Sequence, residues 1–181
     1  MKRLFLSLTA KNTYILFFGN IITGFLAFLF ITIVFKNLPT SDFGVYSAAI
    51  NFILVTSSLL DLGISKTVVK FTALQNDLKQ YNKSLQYAQT GLFLRFIISL
   101  FIGILLLLFS KSITHVLFRT SDQTIIPFCV VSIISFSLFD ILIFVLQGNK
   151  KFWDSVFVSF ISSSTRVLLL GLIIFIGIPV S

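Results

Sequence analysis

The chain has 181 residues, 56% of them hydrophobic and 15% aromatic, with a mean hydropathy of +1.03. A water-soluble domain of this length has too little interior to hide so much apolar surface, so the composition excludes one and predicts an all-α, polytopic membrane helix bundle. Fourteen basic residues against six aspartates, with no glutamate, give a net charge of +8; because the bases sit between apolar runs, membrane charge asymmetry explains them and no nucleic-acid partner is expected.

The opening MKRLFLSLTAKN is short and basic, and the apolar run after it exceeds the usual signal-peptide core of about 7–15 residues, so it reads as a retained span. Since about 20 apolar residues cross a bilayer, the sequence predicts one transmembrane domain with spans at 14–35, 43–62, 92–109, 125–146 and 155–178. The runs are continuous rather than alternating and too long for barrel strands. In the first span Asn20, Thr23, Gly24 and Ala27 share a side, where small residues let a neighbouring helix approach. Leu38 to Asp42 then makes a turn: Pro39 disfavours helix before it, and Thr40, Ser41 or Asp42 can cap the next helix.

The second span carries a polar face at Ser47, Asn51, Ser58 and Asp61, continuing to Ser65, with spacings of four, seven, three and four. In lipid such a face is expected to point into a bundle or a water-filled cavity, leaving Ile50, Ile53 and Leu60 for lipid or apolar packing. The hydrophilic stretch 66–90 repeats Leu74, Leu78, Tyr81, Leu85, Ala88 and Leu92 at heptad-like spacing with Lys79 and Lys83 off the stripe. That pattern predicts a cytoplasmic amphipathic helix at the membrane surface, running into the third span. The third span shows Gly91, Arg95, Ser99 and Gly103 at i+4 intervals, and Arg95 stands near enough to the span's start to snorkel as an interfacial anchor.

His115, between the third and fourth spans, has no Cys, Glu or second His near it for a metal site or catalytic pair. Cys129, the one cysteine, lies in an apolar run and reads as a packing residue. QGNKKFWD joins the last two spans, with Phe152 and Trp153 as interfacial aromatics. One side then holds Lys2, Arg3, Lys11, Lys66, Lys70, Lys79, Lys83, Arg95, Lys150 and Lys151, ten bases, against three on the other, Lys36, Lys111 and Arg119. This bias places the N-terminus in the cytoplasm and Ser181 outside.

The residue with most to explain is Arg166, in the middle of the fifth span. A central arginine costs roughly 2.5–3.5 kcal/mol on insertion scales, so it needs a partner, water or a substrate. Ser155, Ser159, Ser162 and Ser163 share its face, making a hydrophilic stripe suited to an anionic head group such as phosphate. A buried pair with Asp140 or Asp61 that only holds helices together is the alternative. Asp140 and Asp61, each within reach of the cytoplasmic end of its span, are candidate ion-coupling groups or hydrated interfacial acids. No phosphate loop, H-E-x-x-H, Cys/His cluster or nucleophile elbow is present, so the chain reads as a non-enzyme without cofactor or metal.

The basic N-terminus, the turn from Leu38 through Pro39, Thr40, Ser41, Asp42, Phe43, Gly44, Val45 and Tyr46 to Ser47, and the close of the second span on Asp61-Leu62-Gly63-Ile64-Ser65 before Val69-Lys70-Phe71 resemble the polysaccharide flippases. These are the O-antigen and capsule exporters of the multidrug/oligosaccharidyl-lipid/polysaccharide superfamily. The resemblance implies translocation of an undecaprenyl-pyrophosphate-linked oligosaccharide across a bacterial inner membrane, by two bundles of roughly six helices that rock between inward-open and outward-open states. Five spans are fewer than one such bundle, so it also implies an N-terminal portion that works with a missing C-terminal half, a truncated remnant, or a subunit working with other polysaccharide assembly proteins. On this reading the second, fourth and fifth spans line a cationic cavity in which Arg166, with Ser162 and Ser163, holds the pyrophosphate, Asn51 and Ser58 bond sugar hydroxyls, and Asp140 or Asp61 couples to an ion gradient. The rivals are a drug or cation antiporter of the same superfamily and a membrane enzyme of envelope polysaccharide assembly using His115 with Arg119 and Asp122.

Overall fold

The computed structural model describes residues 2–118 and 124–175. Those residues form α1 (Lys2–Asn37), α2 (Thr40–Asp61), α3 (Ile64–Asp77), α4 (Tyr81–Leu108), the short α5 (Ser110–Ile113) running into a π turn at Thr114–Phe118, α6 (Ile125–Gly148) and α7 (Phe152–Phe175). Five helices are long and apolar enough to cross a membrane: Ala10–Asn37, Thr40–Asp61, Tyr81–Leu108, Ile125–Gly148 and Phe152–Leu172. Helices are what such a sequence must form in lipid, because only they satisfy every backbone N–H and C=O within one segment. No strand occurs among the described residues.

The chain divides into two compact units, one of residues 1–43 with 150–181 and one of residues 44–149. In the first, α1 packs along α7. The residue that permits it is Gly19, where a Cβ would stand 2.6 Å from both methyls of Val156; a Cβ at Gly24, one of the small residues expected at a helix contact, would have nothing within 4 Å among the described residues. The packing position is therefore displaced from the Asn20–Thr23–Gly24–Ala27 side, and Thr23 bonds back to the Gly19 carbonyl at 3.0 Å.

In the second unit α3, α4 and α6 pack on one another. The inward side of α4 is Ser84, Ala88, Gly91, Arg95, Ser99 and Gly103, small residues at nearly every turn around one arginine. A Cβ at Gly91 would lie 2.3 Å from Val68 of α3, and one at Gly103 would lie 3.0 Å from Val130 of α6. Close approach of backbones is how helices associate where lipid removes the hydrophobic drive between them. The far end of the unit is closed by Phe118, Ile126, Cys129 and Val130, with Val45, Ala48, Ala49, Phe52 and Ile53 of α2 against them.

The stretch expected as one amphipathic helix is two. α3 ends at Asp77, Lys79 takes a left-handed φ of 57°, and α4 begins at Tyr81. The Leu74, Leu78, Tyr81 and Leu85 stripe is exposed, and the protein contacts are made instead by Ser65, Val68 and Thr72 and by Ser84 and Ala88. A second left-handed turn, at Leu62 and Gly63, separates Ser65 from the helix that carries Ser47, Asn51, Ser58 and Asp61. The polar face of the second span thus ends at Asp61, and Ser65 returns to it from another helix.

Candidate functional site

Arg95 lies midway along the 28-residue α4 with its side chain only 1% exposed. It is not the snorkelling anchor that its place near the predicted start of the third span suggested, because α4 begins earlier, at Tyr81, and turns this face inward. Its Nε donates to Ser137 Oγ of α6 at 2.7 Å. Nη1 donates to Asp61 Oδ1, the last residue of α2, and reaches Ser65 Oγ of α3 at 3.4 Å. Nη2 donates to Asp140 Oδ2 of α6 at 3.4 Å. One guanidinium therefore ties four helices together.

The two acids are held differently. Asp61 Oδ1 accepts from Arg95, from the Ser65 N–H at 3.2 Å and from the Ser65 hydroxyl. Asp140 takes only the long contact from Arg95, and its side chain is 37% exposed against 26% for Asp61. Both open on a cavity of about 270 Å³, lined also by Leu54, Ser57, Ser58, Phe136 and Phe144. Two carboxylates around one guanidinium give the site a formal charge of −1. Ser57, 4% exposed, buries a hydroxyl that has no hydrogen-bond partner among the described residues.

The other sequence-predicted residues are distributed. Ser58 joins the cavity wall, its hydroxyl bonded to the Leu54 carbonyl at 2.8 Å, while Asn51 is exposed and bonds the Ser47 carbonyl at 2.8 Å. Arg166, Ser162 and Ser163 are on α7, in the other unit; Arg166 is exposed and forms no ion pair among the described residues. The charge partner of Asp61 and Asp140 is Arg95 instead. His115 is exposed on the π turn, and Arg119 and Asp122, its expected companions, lie outside the described residues, as do Ile178 and Ser181. Both acids and the small-polar face of α4 are legible in the sequence, but no local pattern joins them. The available signal was that Gly91, Arg95, Ser99 and Gly103 share a side, which puts the arginine wherever that side packs.

A family model for polysaccharide biosynthesis proteins matches residues 9–180. The chain belongs to that family. No curated protein and no solved structure matches it. Its five apolar helices make this polysaccharide biosynthesis protein a multi-pass membrane protein. A buried arginine within a span, sharing two partly exposed carboxylates at a cavity, is an arrangement that membrane proteins rarely tolerate without a use for the charge.

Proposed function

We propose that this polysaccharide biosynthesis protein takes part, as a flippase, in moving a lipid-linked oligosaccharide across the bacterial inner membrane for surface polysaccharide assembly. The observation that carries the reading is the Arg95–Asp61–Asp140 cluster, placed at the heart of a membrane helix packing and opening on a cavity. Asp140, the loosely held arm, is the ion-coupling group: its neutralisation by a proton or cation removes one of the two anions that share Arg95, leaving α6 tied to it through Ser137 alone while Asp61 and Ser65 keep their hold. A weakened tie in one helix is the kind of local charge event that biases two packing states in transport. In this reading Arg166, exposed on α7 with Ser162 and Ser163 on the same helix, is the group that meets the pyrophosphate.

The test is made in the organism that encodes the chain, by deleting the gene and asking whether lipid-linked oligosaccharide collects on the cytoplasmic side. Spheroplasts are probed with a lectin specific for the oligosaccharide before and after opening. Accumulation that complementation reverses is expected; unchanged export in the deletion overturns the reading. Complementation with Arg166→Lys is expected to retain partial export and Arg166→Ala to lose it, and full export with Arg166→Ala removes Arg166 from the substrate role. A second reading, cation-coupled drug export, is favoured by the formal −1 at the cavity; it predicts that the deletion sensitises cells to cationic dyes with oligosaccharide export intact.

A further inference from the structure

From the cavity between α2, α4 and α6 we infer a binding site for one sodium ion, held by Asp61, Asp140 and Ser57. The inference rests on the reading of Asp140 as the ion-coupling group and names the ion. Charge sets the first condition. Arg95, Asp61 and Asp140 are the charged residues lining the cavity among those described, and together they leave one uncompensated negative charge inside a membrane helix packing. A charge in such a place is tolerated when it is paired, so the site calls for one positive charge. A divalent ion would replace the deficit by an excess of the same size.

The second condition is a set of free oxygens. Arg95 and Ser65 engage Asp61 through Oδ1, and Arg95 engages Asp140 through Oδ2. Asp61 Oδ2 and Asp140 Oδ1 take no bond among the described residues, so each acid can hold the guanidinium on one oxygen and an ion on the other. Ser57 stands one helical turn before Asp61 on α2 and lines the same cavity. Its hydroxyl points to a ligand independently of the charge. Ser58 beside it satisfies its own hydroxyl on the Leu54 carbonyl at 2.8 Å, whereas the Ser57 hydroxyl is buried without a partner among the described residues. A buried hydroxyl left unmet costs free energy that a ligand recovers. A proton would sit on one carboxylate and leave that hydroxyl as it is; a metal ion engages all three oxygens. Oxygen donors without nitrogen or sulfur suit a hard cation rather than zinc or copper, and no group of three His, Cys, Asp or Glu that could hold such a metal occurs among the described residues. Carboxylate oxygens are strong-field ligands, which favour sodium over the larger potassium. At about 270 Å³ the cavity has room for the ion and several waters, each about 30 Å³, to complete its shell.

The experiment is equilibrium binding of radiolabelled sodium to the full chain, purified in detergent and held at constant ionic strength with choline chloride. Saturable binding of one ion per chain is expected, displaced by unlabelled sodium and far less by potassium. Ser57→Ala is expected to weaken binding about fivefold and Asp140→Asn to abolish it. Asp42→Asn, at the exposed start of α2, is expected to leave it unchanged. A wild-type chain that binds no sodium, or that yields it to potassium as readily as to sodium, overturns the site without reference to any variant's folding. A monodisperse Asp140→Asn chain that binds sodium as the wild type does also overturns it. An export defect on gene deletion with no sodium binding refutes the site alone; saturable sodium binding with export intact refutes the flippase reading and leaves the site standing.

Discussion

Arg95 shows what one residue's surroundings do to its meaning. A guanidinium buried between two carboxylates is tolerable because Ser137, Ser65, Asp61 and Asp140 take its N–H groups. Removing one member of such a set is costlier than removing all of it, because the survivor is left charged and unpaired. Arg95→Leu is therefore expected to destabilise the protein by about 3–5 kcal/mol, read as a fall in the heat-resistant monodisperse fraction in detergent. The triple variant Asp61→Asn, Arg95→Gln, Asp140→Asn is expected to restore most of that fraction while failing to restore export. Recovery of export by the triple variant would show the charges to be structural glue. Asp61→Asn is expected to cost about 1–3 kcal/mol and Asp140→Asn less in the same measurement, because Asp61 accepts three hydrogen bonds and Asp140 one long one. Both acids were legible in the sequence as candidates, but their common partner stands 34 and 45 residues away and no local pattern links them.

At the scale of the element, α3 and α4 show how an apolar stripe misleads in a membrane. Leu74, Leu78, Tyr81 and Leu85 look like a packing seam by spacing, yet lipid and interface accept them as readily as protein does. The helices are joined by what is small: Gly91 under Val68, Gly148 under Thr72 and Val69, and the Ser84 hydroxyl on the Thr72 carbonyl at 3.4 Å. Gly91→Leu is expected to cost about 1–3 kcal/mol through overpacking against Val68, and Gly24→Leu to stay within about 0.5 kcal/mol because no described atom lies within 4 Å of a Cβ there. Thermal unfolding of the two variants side by side checks this, and equal losses would mean that Gly91 does not set the α3–α4 contact. The break at Lys79 was hidden because a lysine, not a glycine, takes the left-handed conformation there.

For the whole molecule, the charge bias sets the expected topology. Taking the buried Arg95 out of the ten bases leaves nine against three, so the bias persists. With Cys129 replaced by Ala, Lys70→Cys is expected to react with an impermeant maleimide only after spheroplasts are opened, and Lys36→Cys to react in intact ones. The reverse pattern would invert the orientation and place the Asp61 end of α2 outside.

Class, membrane-length helices and family are all legible along the chain, because each depends on quantities that add residue by residue: apolar length, composition and the order of turn residues. The sequence also marks Asp61, Asp140, Arg95 and Gly91 as unusual for their setting. Which of them meet is set by packing. Pairing in a bundle is fixed by the rotation of each helix about its own axis and by where each helix starts. A start at Tyr81 and a turn at Leu62 and Gly63 were enough to bring Arg95, Asp61, Ser65 and Asp140 to one point.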